Sequence, residues 1–256
     1  MVCDHFTSAE LDRTLWNVAV TGAVVNDEQQ AYIDSPTTVR CAPGREADAD
    51  CDGALILQPR YSQGYLTAED RRFDFVSGRI DTRGKLSLRH GTVSARIKLP
   101  AGQGVWPAFW ALGNGSWPEA GEIDIMENVG DPEWVNAALH GPGYAGETPL
   151  VNRRYFSGRD ATAWRVYSVA CGADSIVFSV DDEVIYRVLR PMVEHYGRWV
   201  FDDPKYLILN VALGGNYPLK TNGIRSPYPG LPASTVQRVK RNDVRLLVDW
   251  VRVDGE

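Results

Sequence analysis

The chain has 256 residues and a formal net charge of −6, a length sufficient for one large β domain or two small ones with an ample core. The acidic balance argues against nucleic acid or an anionic membrane surface as a partner. Because no run of about eighteen apolar residues occurs, the sequence predicts no membrane-spanning helix.

The predicted elements are mostly short strands. Ser8–Trp16 places Leu11 and Leu15 at helical spacing and predicts a short helix or a turn. Apolar or alternating runs then predict strands at Gly53–Gln58, in two stretches of Lys85–Leu99, and at Trp134–His140, Val166–Cys171, Ser175–Val180, Val184–Val188, Tyr206–Leu213 and Arg245–Asp254. Ser234–Lys240 is a second candidate helix, and the Pro- and Gly-rich segment Pro218–Ala233 is predicted to be a long surface loop.

Many short strands, few helices and closely spaced turn signals are typical of an all-β protein, either a sandwich or a jelly roll. No internal repeat, linker or change in composition divides the chain. We therefore expect a single domain over residues 1–256.

The cysteines indicate an oxidising compartment. Cys41 and Cys51 flank a polar loop at a spacing typical of a disulfide-closed loop, and unpaired thiols in a cytosolic protein are the alternative. No signal peptide precedes Cys3, so we expect that any export signal was removed or was never part of this chain. These features favour a secreted, extracellular protein.

One acidic strand is central to the functional argument. On a strand, Glu122 and Asp124 point to the same face, whereas strict alternation would send Glu127 to the other face. A bulge at Ile125 or Met126 would bring Glu127 back beside the first two acids. The apolar residues between the acids argue against a simple solvated edge, and three adjacent anions imply shifted pKa values.

Carboxylic acids on one face of a strand suit the hydrolysis of a glycosidic bond. One carboxylate attacks or stabilises the anomeric carbon, and a protonated acid protonates the leaving oxygen. Glu122 and Glu127 can take these roles, while Asp124 shares a proton or hydrogen bond with the nucleophile. On one strand face the two glutamates fall near the separation of about 5–5.5 Å that retaining enzymes use. A calcium site of the three acids with His140 is the alternative, because hard cations prefer oxygen ligands.

Longer segments of the chain resemble one enzyme family. The acidic strand Glu122–Glu127 and the preceding segment Leu99–Gly113 resemble the family-16 glycoside hydrolases. Within that family the chain is similar to the laminarinase-type endo-β-1,3-glucanases, which carry the pattern Glu-x-Asp-x-x-Glu. The resemblance covers nearly the whole chain and includes Ser77–Ile80, Ala95–Pro100, His140–Tyr144, Trp199–Pro204, Leu209–Asn216 and Val248–Val253.

The resemblance implies an all-β, concanavalin-like β-jelly-roll sandwich of two antiparallel sheets with an open substrate cleft. It also implies that Glu122 is the nucleophile, Glu127 the general acid/base and Asp124 the assisting carboxylate. The implied substrate-binding residues are Asn26, Arg79, Trp106, Trp110, His140 and Asn216. We expect Trp106 to stack on a sugar and Trp110 to pack mainly beneath it, and covering a loop is one interpretation of Trp117.

The chain departs from the family pattern at several positions. A structural calcium in related folds commonly uses an acid near the N-terminus and the Asp of the last strand, which is Asp249 here. His5 stands at the position of the N-terminal acid, so calcium is a weaker expectation. The resemblance implies no cofactor for catalysis. Tyr217 stands where relatives usually have Trp, and the longer loop that follows could reshape the glycone end of the cleft.

The sequence therefore predicts an endo-acting, retaining hydrolase that cleaves internal β-1,3-glucosidic bonds of laminarin-like β-glucans by double displacement. We expect it to act as a monomer. The alternatives are a mixed-linkage β-1,3-1,4-glucanase, a transglycosylase and a non-catalytic β-glucan-binding protein. The presence of both glutamates argues against the last, because binding needs stacking rings rather than an acid cluster.

Overall fold

The computed structural model describes residues 1–47, 51–158 and 161–255. The strands are β1 (Val2–Asp4), β2 (Asn17–Val18), β3 (Gln30–Tyr32), β4 (Val39–Pro43), β5 (Gly53–Leu57), β6 (Arg60–Leu66), β7 (Arg72–Ser77), β8 (Arg79–Asp81), β9 (Gly91–Lys98), β10 (Val105–Gly113), β11 (Glu122–Glu127), β12 (Trp134–His140), β13 (Val151–Tyr155), β14 (Trp164–Cys171), β15 (Ser175–Val180), β16 (Glu183–Leu189), β17 (Lys205–Leu213) and β18 (Leu246–Gly255). The helices are α1 (Gly44–Ala47), α2 (Arg190–Glu194), α3 (Asn216–Asn222) and α4 (Ala233–Lys240). None of the helices in these ranges has the length and apolar character that crossing a membrane requires.

Two antiparallel sheets form the body of the protein. The eight-stranded sheet has the order β16-β15-β14-β9-β18-β5-β4, with β1 also paired to β18. The seven-stranded sheet has the order β13-β12-β11-β10-β17-β8-β2. A smaller sheet, β3-β7-β6, contains the parallel pair β3–β7.

The core lies between the two large sheets because side chains alternate along the central strands. On β9 of the eight-stranded sheet, Val93 and Ile97 are completely buried in it. On β10 of the seven-stranded sheet, Val105 and Phe109 are buried in the same cluster. Because side chains alternate along a strand, the residues at the other alternate positions of β10 point to the opposite face of the seven-stranded sheet, which we call its outer face. That face carries the acidic strand described below.

Most of the predicted strands are confirmed, and two agree to the residue: Trp134–His140 is β12, and Ser175–Val180 is β15. The second candidate helix is also confirmed as α4, which buries Thr235, Val236 and Val239. β15 and α4 each bury one face, whereas β12 is buried almost throughout, so its continuous apolar character was the signal.

The segment Ser8–Trp16 forms turns rather than a helix. Asp12 Oδ1 accepts hydrogen bonds from the backbone N–H of Thr14 at 2.8 Å and from its hydroxyl at 2.6 Å. Such local side-chain bonds compete with helix formation. The turn alternative is therefore the correct one.

Two other predictions need correction. Within Lys85–Leu99 only Gly91–Lys98 is a strand, because the N–H groups of Lys85 and Leu86 both bond to the carbonyl of Thr82 and close a turn. The predicted surface loop after Pro218 begins instead as helix α3, in whose first turn a proline is tolerated because the N–H it lacks would have no intrahelical partner.

The predicted disulfide is not formed in the described part of the chain, where Cys41 is a free thiol. Cys41 packs against the main core, whereas Cys51 packs against a separate small cluster around Ile56. The two side chains therefore face different surroundings. Burial raises the pKa of the Cys41 thiol to about 11, which disfavours the thiolate needed for oxidation.

Candidate active site

The acidic strand β11 contains the predicted bulge. On the β10 side, Asp124 lies opposite Trp110 and Met126 lies opposite Phe109, so Ile125 has no partner. Ile125 and Met126 are 2% and 0% exposed, and both side chains enter the core. Two consecutive inward residues reset the alternation, which brings Glu127 back to the outer face. The bulge prediction is confirmed.

Each of the two glutamates is held by an indole N–H. Trp117 Nε1 donates to Glu122 Oε2 at 2.7 Å, and Trp106 Nε1 donates to Glu127 Oε1 at 3.0 Å. Asn136, on the neighbouring strand β12, adds a longer bond of 3.4 Å to Glu127 Oε2. Hydrogen bonds of this kind favour the ionised form of a carboxyl group.

The central acid, Asp124, is 2% exposed and lies beside His140. The distance from His140 Nε2 to Asp124 Oδ2 is 3.1 Å, and in the register of β11 with β12 His140 stands directly opposite Glu122. The imidazole therefore contacts Asp124 and borders Glu122. It gives the cluster a group that can carry a positive charge.

Burial dominates the electrostatics of the acid cluster. Burial, followed by the charge of Asp124, raises the pKa of Glu122 to about 8, although His140 and Trp117 oppose the shift. Burial also raises the pKa values of Asp124 and Glu127, and the neighbouring carboxylates add to it in both cases. The cluster consequently retains protons near neutral pH. A protonated carboxylic acid thus stands beside carboxylates, which is what acid-assisted bond cleavage requires.

Trp110 belongs to the outer face, not to the layer beneath it. Its Nε1 donates to Asn210 Oδ1 at 2.7 Å, and Asn210 in turn donates to the hydroxyl of Tyr32 at 3.1 Å. The guanidinium of Arg79 lies 5.1 Å from the centre of the Trp110 ring. The expectation that Trp110 packs mainly beneath Trp106 is therefore wrong, because Phe109 fills that core position.

Asn26, on a loop, and Asn216, the first residue of helix α3, lie next to each other and are both exposed. The N–H of Asn216 donates to the carbonyl of Asn26 at 2.7 Å. Gly215, with φ +94°, makes this approach possible, since a Cβ there would lie 2.6 Å from the Asn26 carbonyl oxygen. The Asn26 side chain bonds to Glu28, whose pKa is raised by burial and lowered in part by Arg79. This chain of contacts connects Asn26 to the Arg79 end of the sheet.

The residues expected to hold calcium do not fit that ion. Asp249 is on β18 of the other sheet and forms an ion pair of 2.6 Å with Arg96. Near the N-terminus, Asp4 accepts bonds from the N–H of Phe6 and from Trp16 Nε1, both at 2.9 Å. Both carboxylates are thus already bonded to protein donors, which would compete with calcium for their oxygens.

The alternative metal site is also a poor match to calcium. Glu122, Asp124 and His140 present donor atoms within 4.8 Å of one another. This set includes an imidazole nitrogen, whereas calcium takes oxygen ligands. The cluster therefore fits proton chemistry better than calcium binding.

Sequence reasoning missed several residues of the outer face. For Trp117 only a loop cover was considered, as an alternative, and Asn136 and Asn210 were not singled out. The two asparagines are 4% and 7% exposed in otherwise apolar strands. On a strand, residues an even number of positions apart lie on the same face. Each asparagine has this spacing from an outward residue of its own strand, as Asn136 has from His140. A polar residue at that position of a buried strand was the available signal.

The fold matches the β-jelly-roll sandwiches. The X-ray structure of the endo-beta-1,3-glucanase from Pyrococcus furiosus superposes with a TM-score of 0.83 at 30% sequence identity, covering 99% of this chain and 92% of that one. This confirms the predicted fold of two antiparallel sheets.

Residues 50–223 match the family described as Glycosyl hydrolases family 16, and the chain belongs to this family. Glucan endo-1,3-beta-glucosidase A1 of Niallia circulans is 32% identical over 281 residues, which cover 99% of this chain and 37% of that protein. Beta-glucanase of Rhodothermus marinus is 34% identical over 215 residues, which cover 78% of this chain and 68% of that protein. The chain therefore spans little more than a third of the length of the Niallia circulans protein.

Proposed function

We propose that the protein is an endo-acting, retaining glycoside hydrolase that cleaves internal β-1,3-glucosidic bonds of β-glucans by double displacement. The observation that carries the proposal is the bulge of β11, which places Glu122, Asp124 and Glu127 on one face while the apolar residues between them enter the core. The similarity to an endo-beta-1,3-glucanase and to a glucan endo-1,3-beta-glucosidase supports the choice of bond.

The proposed first step forms a bond between a carboxylate oxygen of Glu122 and the anomeric carbon. The bond to the leaving oxygen breaks, and that oxygen takes the proton of Glu127. Burial supports the second role, since it raises the pKa of Glu127 and so favours its protonated form. The indole N–H of Trp117 supports the first role by stabilising the anion of Glu122.

In the second step Glu127, now ionised, removes a proton from water. The resulting hydroxide attacks the anomeric carbon, and Glu122 leaves as a carboxylate. Asp124 hydrogen-bonds to Glu122. It can therefore share a proton with Glu122, which loses its negative charge in the first step and regains it in the second. His140 Nε2 lies 3.1 Å from Asp124 Oδ2 and holds that carboxyl group in place.

The residues around the acids fit a sugar substrate. Trp106 and Trp110 are half-buried on the outer face and offer ring surface for the apolar face of a sugar. Arg79 and Asn26, together with Asn216, offer donors and acceptors for hydroxyl groups. We also propose that the protein is secreted, because a polymeric glucan is met outside the cell, and that it acts as a monomer.

The substrate class is tested by a product profile on laminarin, lichenan and agarose, with reducing ends and oligosaccharide lengths measured. Endo-cleavage of laminarin supports the proposal. Cleavage of lichenan at equal rate would indicate a mixed-linkage enzyme, oligosaccharides longer than the substrate would indicate transglycosylation, and binding without cleavage would indicate a glucan-binding protein.

The two roles are tested by chemical rescue with azide. Glu122→Ala should stop turnover, and azide should restore it with an α-glycosyl azide as product, because azide then attacks from the side of the missing nucleophile. Glu127→Ala with an activated aryl glycoside should give a β-glycosyl azide through the glycosyl-enzyme. The opposite stereochemistry would reverse the assignment.

A further inference from the structure

A cationic side chain, Arg153, lies on the same face as the acid cluster. In the sheet, Glu127 is paired with Asn136, and Asn136 is paired with Arg153. Paired residues of adjacent strands point to the same face. Since adjacent strands are about 4.8 Å apart, the backbone of Arg153 lies about 10 Å from that of Glu127.

The guanidinium of Arg153 is held in a defined position by neighbouring aromatic side chains. Its central carbon lies 3.8 Å from the centre of the Trp134 ring, and Trp134 is itself only 3% exposed. Its Nη1 lies 3.4 Å from the hydroxyl of Tyr155, and it also interacts with the hydroxyl of Tyr217. Stacking on Trp134 covers one face of the guanidinium, and of its five N–H donors those not directed at the two hydroxyl groups can bind a ligand.

Arg153 differs from its neighbour on the same strand. Arg154 points to the opposite face and forms an ion pair with Glu183 at 2.7 Å. Among the described residues, no carboxylate lies within ion-pairing distance of Arg153, whose contacts are an indole ring and hydroxyl groups. In a chain with a net charge of −6, an ordered cation without an acid partner is a candidate for binding an anion.

The position of Arg153 indicates which part of a substrate it meets. The residues proposed to hold the sugar nearest the cut, such as Arg79 and Trp110, are on β8 and β10, on one side of the acidic strand. Glu127 must protonate the oxygen of the leaving sugar. With the sugar on the other side of the cut placed over β10 and β8, the leaving sugar would extend over β12 and β13, where Arg153 is.

We propose that Arg153 recognises an anionic group, a carboxylate, phosphate or sulfate, on the leaving side of the glucan. The planar fork of an arginine binds such groups through two N–H donors. This inference rests on the proposed function, and it makes Arg153 a determinant of specificity rather than of bond cleavage.

The experiment uses a matched pair of β-1,3-gluco-oligosaccharides. In one the reducing end is oxidised to the aldonate, and in the other it is reduced to the alditol, so both ends are open chains that differ in a carboxylate. The measured quantity is the ratio of kcat/KM for the aldonate to kcat/KM for the alditol. We expect this ratio to be about five- to tenfold higher in the wild type than in Arg153→Gln, mainly because KM for the aldonate is lower. The difference should be smaller at high salt, which screens the charges. Several chain lengths, with cleavage sites read by mass spectrometry, place the charged end at different distances from the cut.

The controls use the same strand. Arg154→Gln removes the same charge from the opposite face and should leave the ratio unchanged, whereas Arg153→Lys should retain part of it. Alditol ends that carry a phosphate or a sulfate distinguish which anion is preferred. A ratio that is the same in Arg153→Gln as in the wild type, or that falls equally in Arg154→Gln, would overturn the inference.

Failure of the proposed function is a separate result. If the enzyme cleaves the neutral alditol but the ratio does not depend on Arg153, only this inference fails. If it cleaves neither oligosaccharide, the proposed function fails. Calorimetry with Glu122→Gln, alone and combined with Arg153→Gln, then decides the role of Arg153, because tighter binding of the aldonate should require the arginine.

Discussion

The indole nitrogen of Trp117 donates a hydrogen bond of 2.7 Å to Oε2 of Glu122, although Trp117 is 51% exposed. The bond stabilises the anion of Glu122 against the burial and the nearby charge of Asp124, which both raise its pKa. The exposed ring also stands at the edge of the acid cluster, where a sugar can contact it. Trp117 is therefore an exposed residue that directly affects the ionisation of the proposed nucleophile.

Trp117→Phe should lower activity by weakening that anion. The ring remains, but the N–H is lost, so the pKa of Glu122 should rise further and the acid limb of the kcat/KM profile should move to higher pH. Since a hydrogen bond to a charged group contributes about 1.5–3 kcal/mol, we expect a loss of about ten- to a hundredfold at neutral pH. A pH profile with an unshifted acid limb would contradict this role.

The raised pKa of Glu122 predicts a penalty in stability that grows with pH. The ordinary value of 4.5 applies to the unfolded chain, and the folded value is about 8. Between these values the folded state holds a proton that the unfolded state has released, so stability falls as pH rises through this window. The penalty is absent below the unfolded value and complete above the folded one.

Glu122→Gln should remove this penalty. The melting temperature of the variant should exceed that of the wild type above pH 8 by about ten degrees, since a shift from 4.5 to about 8 corresponds to several kcal/mol and about 1 kcal/mol shifts the melting temperature by about 2–4 °C in a chain of this size. The difference should vanish below about pH 4. Calorimetric scans over this range measure it, with Glu119→Gln as an exposed control. A difference that is constant with pH would show that the variant acts through packing instead.

The sequence was informative wherever one face of a strand meets the core. Apolar residues and the flanking turns predicted β12 and β15 to the residue, and the number of residues between Asp124 and Glu127 predicted the bulge. In these cases a local pattern encodes which face is buried, and burial is what decides the conformation.

Contacts between distant segments could not be predicted in this way. Asn210 bonds to Trp110 and to Tyr32, which are 100 and 178 residues away in the sequence. Periodicity assigns each of these residues to a face, but it does not say which loop or strand lies beside it. The same limit applies to Trp117, whose position near Glu122 depends on the path of a loop.

The two tryptophans of β10 should differ in their effect on the pH profile. Trp106 donates to Glu127 and lowers its pKa, whereas Trp110 donates to Asn210. Trp106→Phe should therefore raise the pKa of Glu127 and move the alkaline limb of kcat/KM to higher pH, because Glu127 must be protonated in the first step. Trp110→Phe should leave that limb in place.

Melting temperatures provide the check on this pair. Both side chains are half-buried on the same face, so the two Phe variants should lose similar amounts of stability. An alkaline limb that moves equally in both variants would mean that the Trp106–Glu127 bond of 3.0 Å does not control the acid.

The number of residues between Asp124 and Glu127 should decide whether the acid reaches the substrate. Inserting an alanine after Met126 should turn the carboxyl group of Glu127 toward the core, because Ile125 and Met126 already occupy two successive inward positions. A carboxylate without a partner in the core costs several kcal/mol or becomes protonated. The insertion variant should therefore be inactive and less stable.

Deleting Met126 is the matched change. It leaves the acids at alternate positions, so plain strand pairing keeps all three on the outer face without a bulge. Met126 is 0% exposed, and the loss of a buried methionine side chain costs about 2–5 kcal/mol. The deletion variant should thus be less stable yet folded, with part of its activity on laminarin. Circular dichroism and reducing-sugar release measure fold and activity in both variants. Near-normal hydrolysis by the insertion variant would show that Glu127 is not the general acid, since its carboxyl group would then no longer lie beside Glu122.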